Sequence, residues 1–377
     1  MNLYFDFNAT TPLRAVAREA WLRANEAHWH NPSSLYQKAA EAKQVLELAR
    51  EELGDVLGCE PERIVFTGSA TESNNALFAQ LSEKLSKDKR VLSSSIEHPS
   101  VREPLQRWFA KRVTLVRTTK SGEMDLEDLA TQLARNNVAL VTAMAANNEC
   151  GLLHPWRAFA ERCHEAGVMF HTDAAQWIGK EPGDEMGASD FITGCAHKFG
   201  GPKGVGFLVL RDEREVLSHL RGGPQEQGRR AGTENLPGVV AMVAALREAI
   251  AERETAACRQ AALRDEFEKT MRAQFPELRI IGEGAERLWN TSMFVLPQGD
   301  NRKWLARLSQ RGVAVSTGSA CSAGHDGSSV VLEALGATPE EMRRVIRVSG
   351  GWGSGEGEWT ALAEAFGEVG KDLGVGG

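Results

Sequence analysis

Short apolar runs punctuate this chain, separated by longer stretches whose apolar residues recur at helical spacing. The runs at 64–67, 91–94, 113–116, 139–142, 168–171, 188–192 and 205–210 predict short buried strands. Helical patterns cover 14–27 and 35–57, another helix opens at 68–75, and more lie between most of the later strands. Such alternation predicts an α/β fold, an open and mostly parallel sheet with helices on both faces. Residues 3–7 read as a strand and 8–12 as a turn, while the loop at 30–34 ends by capping the helix after it. From about Gly238 a region rich in Ala, Glu and Arg runs as a helix to Gln274. Beyond it, strands at 313–315 and 345–349 belong to a smaller α+β unit. The expected division is a large domain over 15–255 and a small domain made of 1–14 and 256–377.

Composition narrows the class. The chain has 377 residues, 42% hydrophobic and 25% charged, which is ordinary for a globular protein and ample for two cores. The net charge of −7 comes from interspersed acids and bases, so no nucleic-acid partner is expected. No apolar run approaches the roughly 18 residues that span a bilayer, so no membrane partner is expected either. The first residues carry no basic, signal-like segment, and a cytoplasmic location is the default expectation. Six scattered cysteines without a CxxC pair read as free thiols in a reducing compartment, with no disulfide framework and no zinc site.

Ligands of open parallel sheets sit beyond the carboxyl ends of the strands, and the chemistry-bearing motifs follow strands. Gly68 to Asn75 starts a helix, with Ser69 and Thr71 as hydroxyl donors; it reads as a plain cap or as a phosphate cup. His98 follows the strand at 91–94 and is suited to stacking on a ring or to moving protons. Asn147-Asn148-Glu149 supplies amide donors at the same edge. Asp173 closes another strand, with Gln176 on the following turn; it is either a helix cap or the partner of a pyridine nitrogen. Lys198 lies in a Gly-rich turn after the 188–192 strand, where a solvated lysine competes with an imine-forming one. The run 222–235, taken alone, reads as a solvated loop. Cys321 stands among small residues in a Gly/Ser loop, the setting of a reactive thiol acting as nucleophile or sulfur carrier. Arg347 sits mid-strand, where a bidentate carboxylate would partner it. Together these residues form the equipment for pyridoxal-phosphate chemistry on an amino acid whose product passes to a thiol.

With these residues assembled, the chain resembles the cysteine desulfurases of NifS/IscS type, in the class V aminotransferase group. The resemblance rests on 6–12, 31–34, 68–75, Glu97-His98, Asn147-Asn148-Glu149 and 173–176. It continues through Ala196-His197-Lys198, 201–204, 229–235 and Gly318-Ser319-Ala320-Cys321. It implies the fold-type I pyridoxal-phosphate architecture and a homodimer with sites at the subunit interface. It also implies that Lys198 joins the cofactor pyridoxal 5'-phosphate, His98 stacks on its ring, Asp173 pairs with the ring nitrogen and Gln176 bonds the ring oxygen. Asn148 would lie by that oxygen and the substrate. Ala70, Thr71, Cys195 and His197 would hold the phosphate, with Thr233 reaching it from the other subunit. Asn31 and Arg347 would bind the carboxylate of L-cysteine. Cys321 would carry the persulfide to a sulfur acceptor or iron–sulfur scaffold; no resident metal is expected, and Cys321 would meet iron only transiently. Three departures stand out: Cys195 replaces the usual serine, Tyr36 a usual histidine, and 349–353 differs from the usual sequence after the arginine. Two other readings stay open at this point. One is another pyridoxal-phosphate enzyme, such as a selenocysteine lyase or an aminotransferase; the other is an inactive sulfur-transfer scaffold.

Overall fold

The computed structural model describes residues 2–375, apart from Lys120, Asn136, Val216, Ser218 and 319–328. The chain begins with β1 (Leu3–Tyr4) and α1 (Ala15–Ala27), whose small residues Ala17, Ala20 and Ala24 face inward. Next comes α2 (Gln37–Leu57). The cap expected from the 30–34 loop is not made: the N-cap is Tyr36, without a side-chain bond. Asn31 Oδ1 instead accepts the Ser33 N–H at 2.9 Å, closing a local turn. The helix ends at Gly58 with φ +64°, where a Cβ would meet the Asp184 carbonyl oxygen at 1.9 Å, so glycine is required.

The large sheet follows: β2 (Ile64–Thr67), α3 (Ala70–Lys84), β3 (Arg90–Ser93), α4 (Pro99–Trp108), β4 (Val113–Leu115), α5 (Leu126–Leu133) and β5 (Val138–Thr142). It continues with α6 (Trp156–Glu165), β6 (Met169–Asp173), β7 (Phe191–Cys195) and β8 (Gly206–Val209). The seven strands lie in the order β2-β8-β7-β6-β5-β3-β4, parallel except for β8, which runs against both neighbours. β2, β7 and β8 are buried along their whole length, as expected of a sheet covered on both faces. The strand expected over 188–192 begins later and ends later. Met186–Ala188 closes a tight turn, and the pairing runs on through Thr193, Gly194 and Cys195. That shift carries β7 right up to Lys198.

One long helix, α7 (Leu236–Gln274), is capped by the Asn235 side chain on the Gly238 N–H. Its first half buries Val239, Met242 and Leu246 with the large core; its second half buries Phe267 and Met271 with a separate core. The elements that follow are β9 (Arg279–Ile280), β10 (Thr291–Val295), α8 (Asn301–Gln310), β11 (Val313–Ala314), α9 (Val330–Ala334), α10 (Pro339–Met342), β12 (Val345–Ser349) and α11 (Glu356–Asp372). The second core takes Leu3, Phe5 and residues of β9, β10, α8, β11, β12 and α11, while α9 and α10 pack in a smaller cluster with Leu152, Ile281 and Met293. β10 lies between β12 and β9 in an antiparallel sheet, and β1 pairs in parallel with β11. The small sheet thus centres on β10, a strand the apolar pattern does not announce. Among the described residues no helix is long and apolar enough to cross a membrane.

His171, on β6, is fully buried between Thr142 Oγ1, 2.7 Å from Nδ1, and the edge of Phe78. Burial pushes its pKa from 6.5 down to about 3. A depressed folded-state value makes its stability contribution complete above about pH 6.5 and lost as pH falls toward the folded value. His171→Gln, which gives up the bond to Thr142 and the packing on Phe78, should be less stable at pH 7. It should also lose about 1.4 kcal/mol less per pH unit on acidification below pH 6.5, read from denaturant midpoints. An acid slope equal to that of the unchanged protein would contradict the assignment.

Candidate active site

Three strand ends and one helix start converge on a single cavity. β2 feeds the turn into α3, where Ser69 caps the helix by accepting the Glu72 N–H at 3.1 Å, and Glu72 Oε2 accepts the Gly68 N–H at 2.8 Å. Ser69 is therefore spent partly as a cap, and the helix start at Ala70 and Thr71 lines the cavity. Its positive dipole end favours an anion. β8 passes directly beneath this turn: a Cβ on Gly206 would lie 2.6 Å from the Ser69 carbonyl carbon, so only glycine fits.

The end of β6 delivers Asp173, which is buried. Its Oδ2 accepts from Asn74 Nδ2 at 3.1 Å and its Oδ1 from the Ala175 N–H at 3.0 Å. The loop after β3 delivers Glu97 and His98. Glu97 is fully enclosed, and its Oε1 takes the Met144 N–H at 2.7 Å. Burial above all, and then the nearby Asp173, push its pKa up to about 8, so it holds a proton at neutral pH. His98 caps α4: its Nδ1 accepts the Ser100 N–H at 3.1 Å, and burial lowers its pKa, leaving a neutral ring on the cavity wall.

β7 ends at Cys195 and leads directly to His197 and Lys198. Burial raises the Cys195 thiol to about 11, so it stays protonated. Burial foremost, then Lys198, lowers His197 to about 4. Its Nδ1 lies 3.1 Å from Thr10 Oγ1. Lys198 Nζ donates to the carbonyl oxygens of Asn8 at 2.6 Å and Ala9 at 2.8 Å.

Of the residues singled out from sequence, Ala70, Thr71, His98, Asn148, Asp173, Gln176, Cys195, His197 and Lys198 line one cavity of about 220 Å³. Asn31 and Thr233 do not line it; both are exposed on this chain. Arg347 is buried beside it. Its Nη1 donates to the Asn148 carbonyl at 2.9 Å and the Gly318 carbonyl at 3.1 Å, and its Nη2 pairs with Asp6 Oδ1 at 2.6 Å. Cys321 lies outside the described residues. Two residues of the site escaped the sequence reading. Asn8 stood only in a turn, yet it is buried and bonded to groups from several segments. Lys180, four residues beyond Gln176, is equally buried against it. No local sequence signal marks either residue.

An aldehyde cofactor with an anionic tail and a basic ring nitrogen asks for an amine, a donor-rich helix start, a flat wall and a buried carboxyl group. Lys198, α3, His98 and Asp173 supply these around one cavity, so the residues present fit such a group. The profile of the family "Aminotransferase class-V" matches residues 3–351. The cysteine desulfurase IscS of Dictyoglomus turgidum is 35% identical over 352 residues, covering 92% of this chain and 88% of that protein. The cysteine desulfurase NifS of Azotobacter vinelandii is 34% identical over 367 residues, covering 92% of this chain and 91% of its own length. Among solved structures, a NifS-like protein superposes with a TM-score of 0.92 at 31% identity, covering 99% of this chain and all of its own. A structure of SspA in complex with cysteine superposes at 0.78 and 31% identity, covering 92% of this chain and 98% of its own. The fold is that of the NifS-like pyridoxal-phosphate enzymes. The chain belongs to the class-V aminotransferase family, and its cofactor is pyridoxal 5'-phosphate.

The segment 222–235 corrects a further expectation: it is not simply a solvated loop. Glu226 is buried in a two-pronged pair with Arg50, at 2.8 and 3.0 Å, and also accepts the Phe66 N–H at 3.0 Å. Arg229, also buried, donates to the carbonyls of Glu62 and Ile64. The loop is thus pinned to β2, next to the turn that opens α3. Glu226→Ala should leave the buried Arg50 with the partly exposed Glu47, 2.9 Å from its Nε, as its remaining carboxylate, and cost about 3 kcal/mol in urea denaturation. A loss below about 1 kcal/mol would show the pair to be dispensable.

Proposed function

We propose that this protein is a cysteine desulfurase that takes sulfur from L-cysteine, releases L-alanine and holds the sulfur as a persulfide on Cys321. The reading is carried by the cavity that brings Lys198, Asp173 and His98 to the start of α3. It is supported by relatives named cysteine desulfurase over nine-tenths of the chain.

When bound, the cofactor supplies an aldehyde for the substrate amine and a ring that draws electrons from the substrate Cα. Lys198 is the amine that would hold the cofactor and would move the Cα proton of the substrate. The Asp173 carboxyl group keeps the ring nitrogen protonated, and protonated Glu97 leaves it without a competing buried anion. His98, neutral, would form the wall facing the ring, and Gln176 and Asn148 would bond its oxygen. Ala70, Thr71, Cys195 and His197 take the phosphate. Cys195 serves as a protonated thiol, a weaker donor than the usual serine. Arg347 and Asn31 take the substrate carboxylate. Cys321, as thiolate, would attack the substrate sulfur: the S–S bond forms as the Cβ–S bond breaks, and the electron pair left with the three-carbon fragment takes up a proton at Cβ to give the methyl group of L-alanine.

The working form is a homodimer in which Thr233 of each subunit completes the other's phosphate site. Support comes from its exposure on this chain and from the apolar surface at Trp29, Leu35 and Tyr36, which are 70%, 104% and 51% exposed. Residues 15–255 form the cofactor-binding domain, and 1–14 with 256–377 form the small domain that carries Cys321. The setting is cytoplasmic, and the sulfur leaves to an acceptor in iron–sulfur cluster assembly or thiolation.

The test pairs product analysis with mass spectrometry. The unchanged protein should convert L-cysteine to L-alanine and, after brief exposure, carry one added sulfur on Cys321. Cys321→Ser should retain the cofactor but form little alanine. A keto acid as the product, or full activity in Cys321→Ser, would overturn the reading.

A further inference from the structure

A lysine buried without a carboxylate bonded to it is costly, because its charge or its donors must be taken out of water. Lys180 is such a residue. It is 5% exposed, and its Nζ donates to Gln176 Oε1 at 2.5 Å and Asn8 Oδ1 at 3.4 Å. It lies behind the cofactor cavity, in a small pocket that it shares with Phe7, Lys198, Phe199, Trp289 and Asn290. Burial foremost, then Lys198, pushes its pKa down to about 7. An apolar side chain there would avoid that penalty, so the amine is kept for what it does to its neighbour.

That neighbour is the Gln176 amide, whose two ends are chemically opposite. Its Nε2 donates to the Asn8 carbonyl oxygen at 2.8 Å, which can only accept. Its Oε1 receives Lys180 Nζ from the other side. With both ends committed, the amide cannot turn over, and the hydrogen left to Nε2 is what Gln176 offers to the cavity that it lines. Without Lys180 the carbonyl end would lose its partner, and the single bond from Nε2 to the Asn8 carbonyl would be left to hold the amide against rocking about its last torsion.

We propose that Lys180 is a positioning residue for the cofactor: it fixes the Gln176 amide so that this wall of the cavity donates a hydrogen bond to the oxygen of the bound ring. This rests on the reading of the cavity as the pyridoxal-phosphate site. It assigns the buried lysine a task distinct from that of Lys198: Lys198 reacts, and Lys180 orients.

A double-mutant cycle on the full chain tests it, read as the equilibrium retention of pyridoxal phosphate in dialysis. Lys180→Met should weaken retention about three- to tenfold, the value of one hydrogen bond. Gln176→Ala should do the same, and the double variant should be no weaker than Gln176→Ala alone to within about twofold. If Lys180→Met does not fold, as judged by the melting of the cofactor-free protein, Lys180→Gln goes through the same cycle. Losses that multiply in the double variant would make Lys180 a structural residue acting independently of Gln176 and overturn the inference. So would unchanged retention in a folded Lys180 variant. A Gln176→Ala protein that retains the cofactor fully would instead overturn the placement of the cofactor on which the inference rests.

Discussion

One backbone carbonyl, that of Asn8, receives both Lys198 Nζ and Gln176 Nε2. Around it the Asn8 side chain is bonded at both ends. Its Oδ1 takes Asn290 Nδ2 at 3.1 Å and its Nδ2 reaches Thr291 Oγ1 at 2.8 Å and the Asn148 carbonyl at 3.2 Å. Its N–H donates to Ser349 Oγ at 3.0 Å. The residue is buried, so these bonds are made in a low-dielectric interior where leaving any of them unmade is expensive. A segment of the N-terminus thereby holds together the turn after β7, the turn after β6, β10 and β12. The rest of the site is positioned from this point. β1 is anchored by its pairing with β11, and Asp6 bridges to Ser349 and pairs with Arg347.

Around that network the charges are arranged by burial rather than by pairing. Glu97 is held neutral, as are His98 and His197, and Cys195 stays a thiol. The cavity therefore presents neutral donors and a flat ring, with Asp173 as its nearby carboxyl group and Lys198 as its amine. A low-dielectric wall of this kind concentrates the effect of each remaining charge on whatever is bound. It also explains why Lys180, close to Lys198 and enclosed, gives up its proton so readily.

Much of this was legible in the sequence for a simple reason. In a parallel sheet the strand ends gather on one edge, so His98, Asp173 and Lys198, each just past a short apolar run, had to fall near one another. The long helix from 236 was legible from its composition and lack of breakers. What escaped depends on partners distant in the chain. β10 begins Thr291-Ser292, polar residues that are fully buried between strands drawn from either side. Arg50 and Glu226 look solvated singly and become interior only as a pair. Asn8 and Lys180 carry no local pattern that separates a buried hub from an ordinary turn residue. Thr233 and Asn31, exposed and away from the cavity on this chain, are assigned to the site by the family resemblance alone.

The central claim is that of the two lysines near the cavity, half-buried Lys198 is the one that joins the cofactor while buried Lys180 is not. Borohydride reduction of the pyridoxal-phosphate-loaded protein, followed by peptide mapping, measures this directly. The cofactor mass should be found on the peptide containing Lys198 and on no other. A reduced cofactor on Lys180, or on the neighbouring Lys203, would contradict the account.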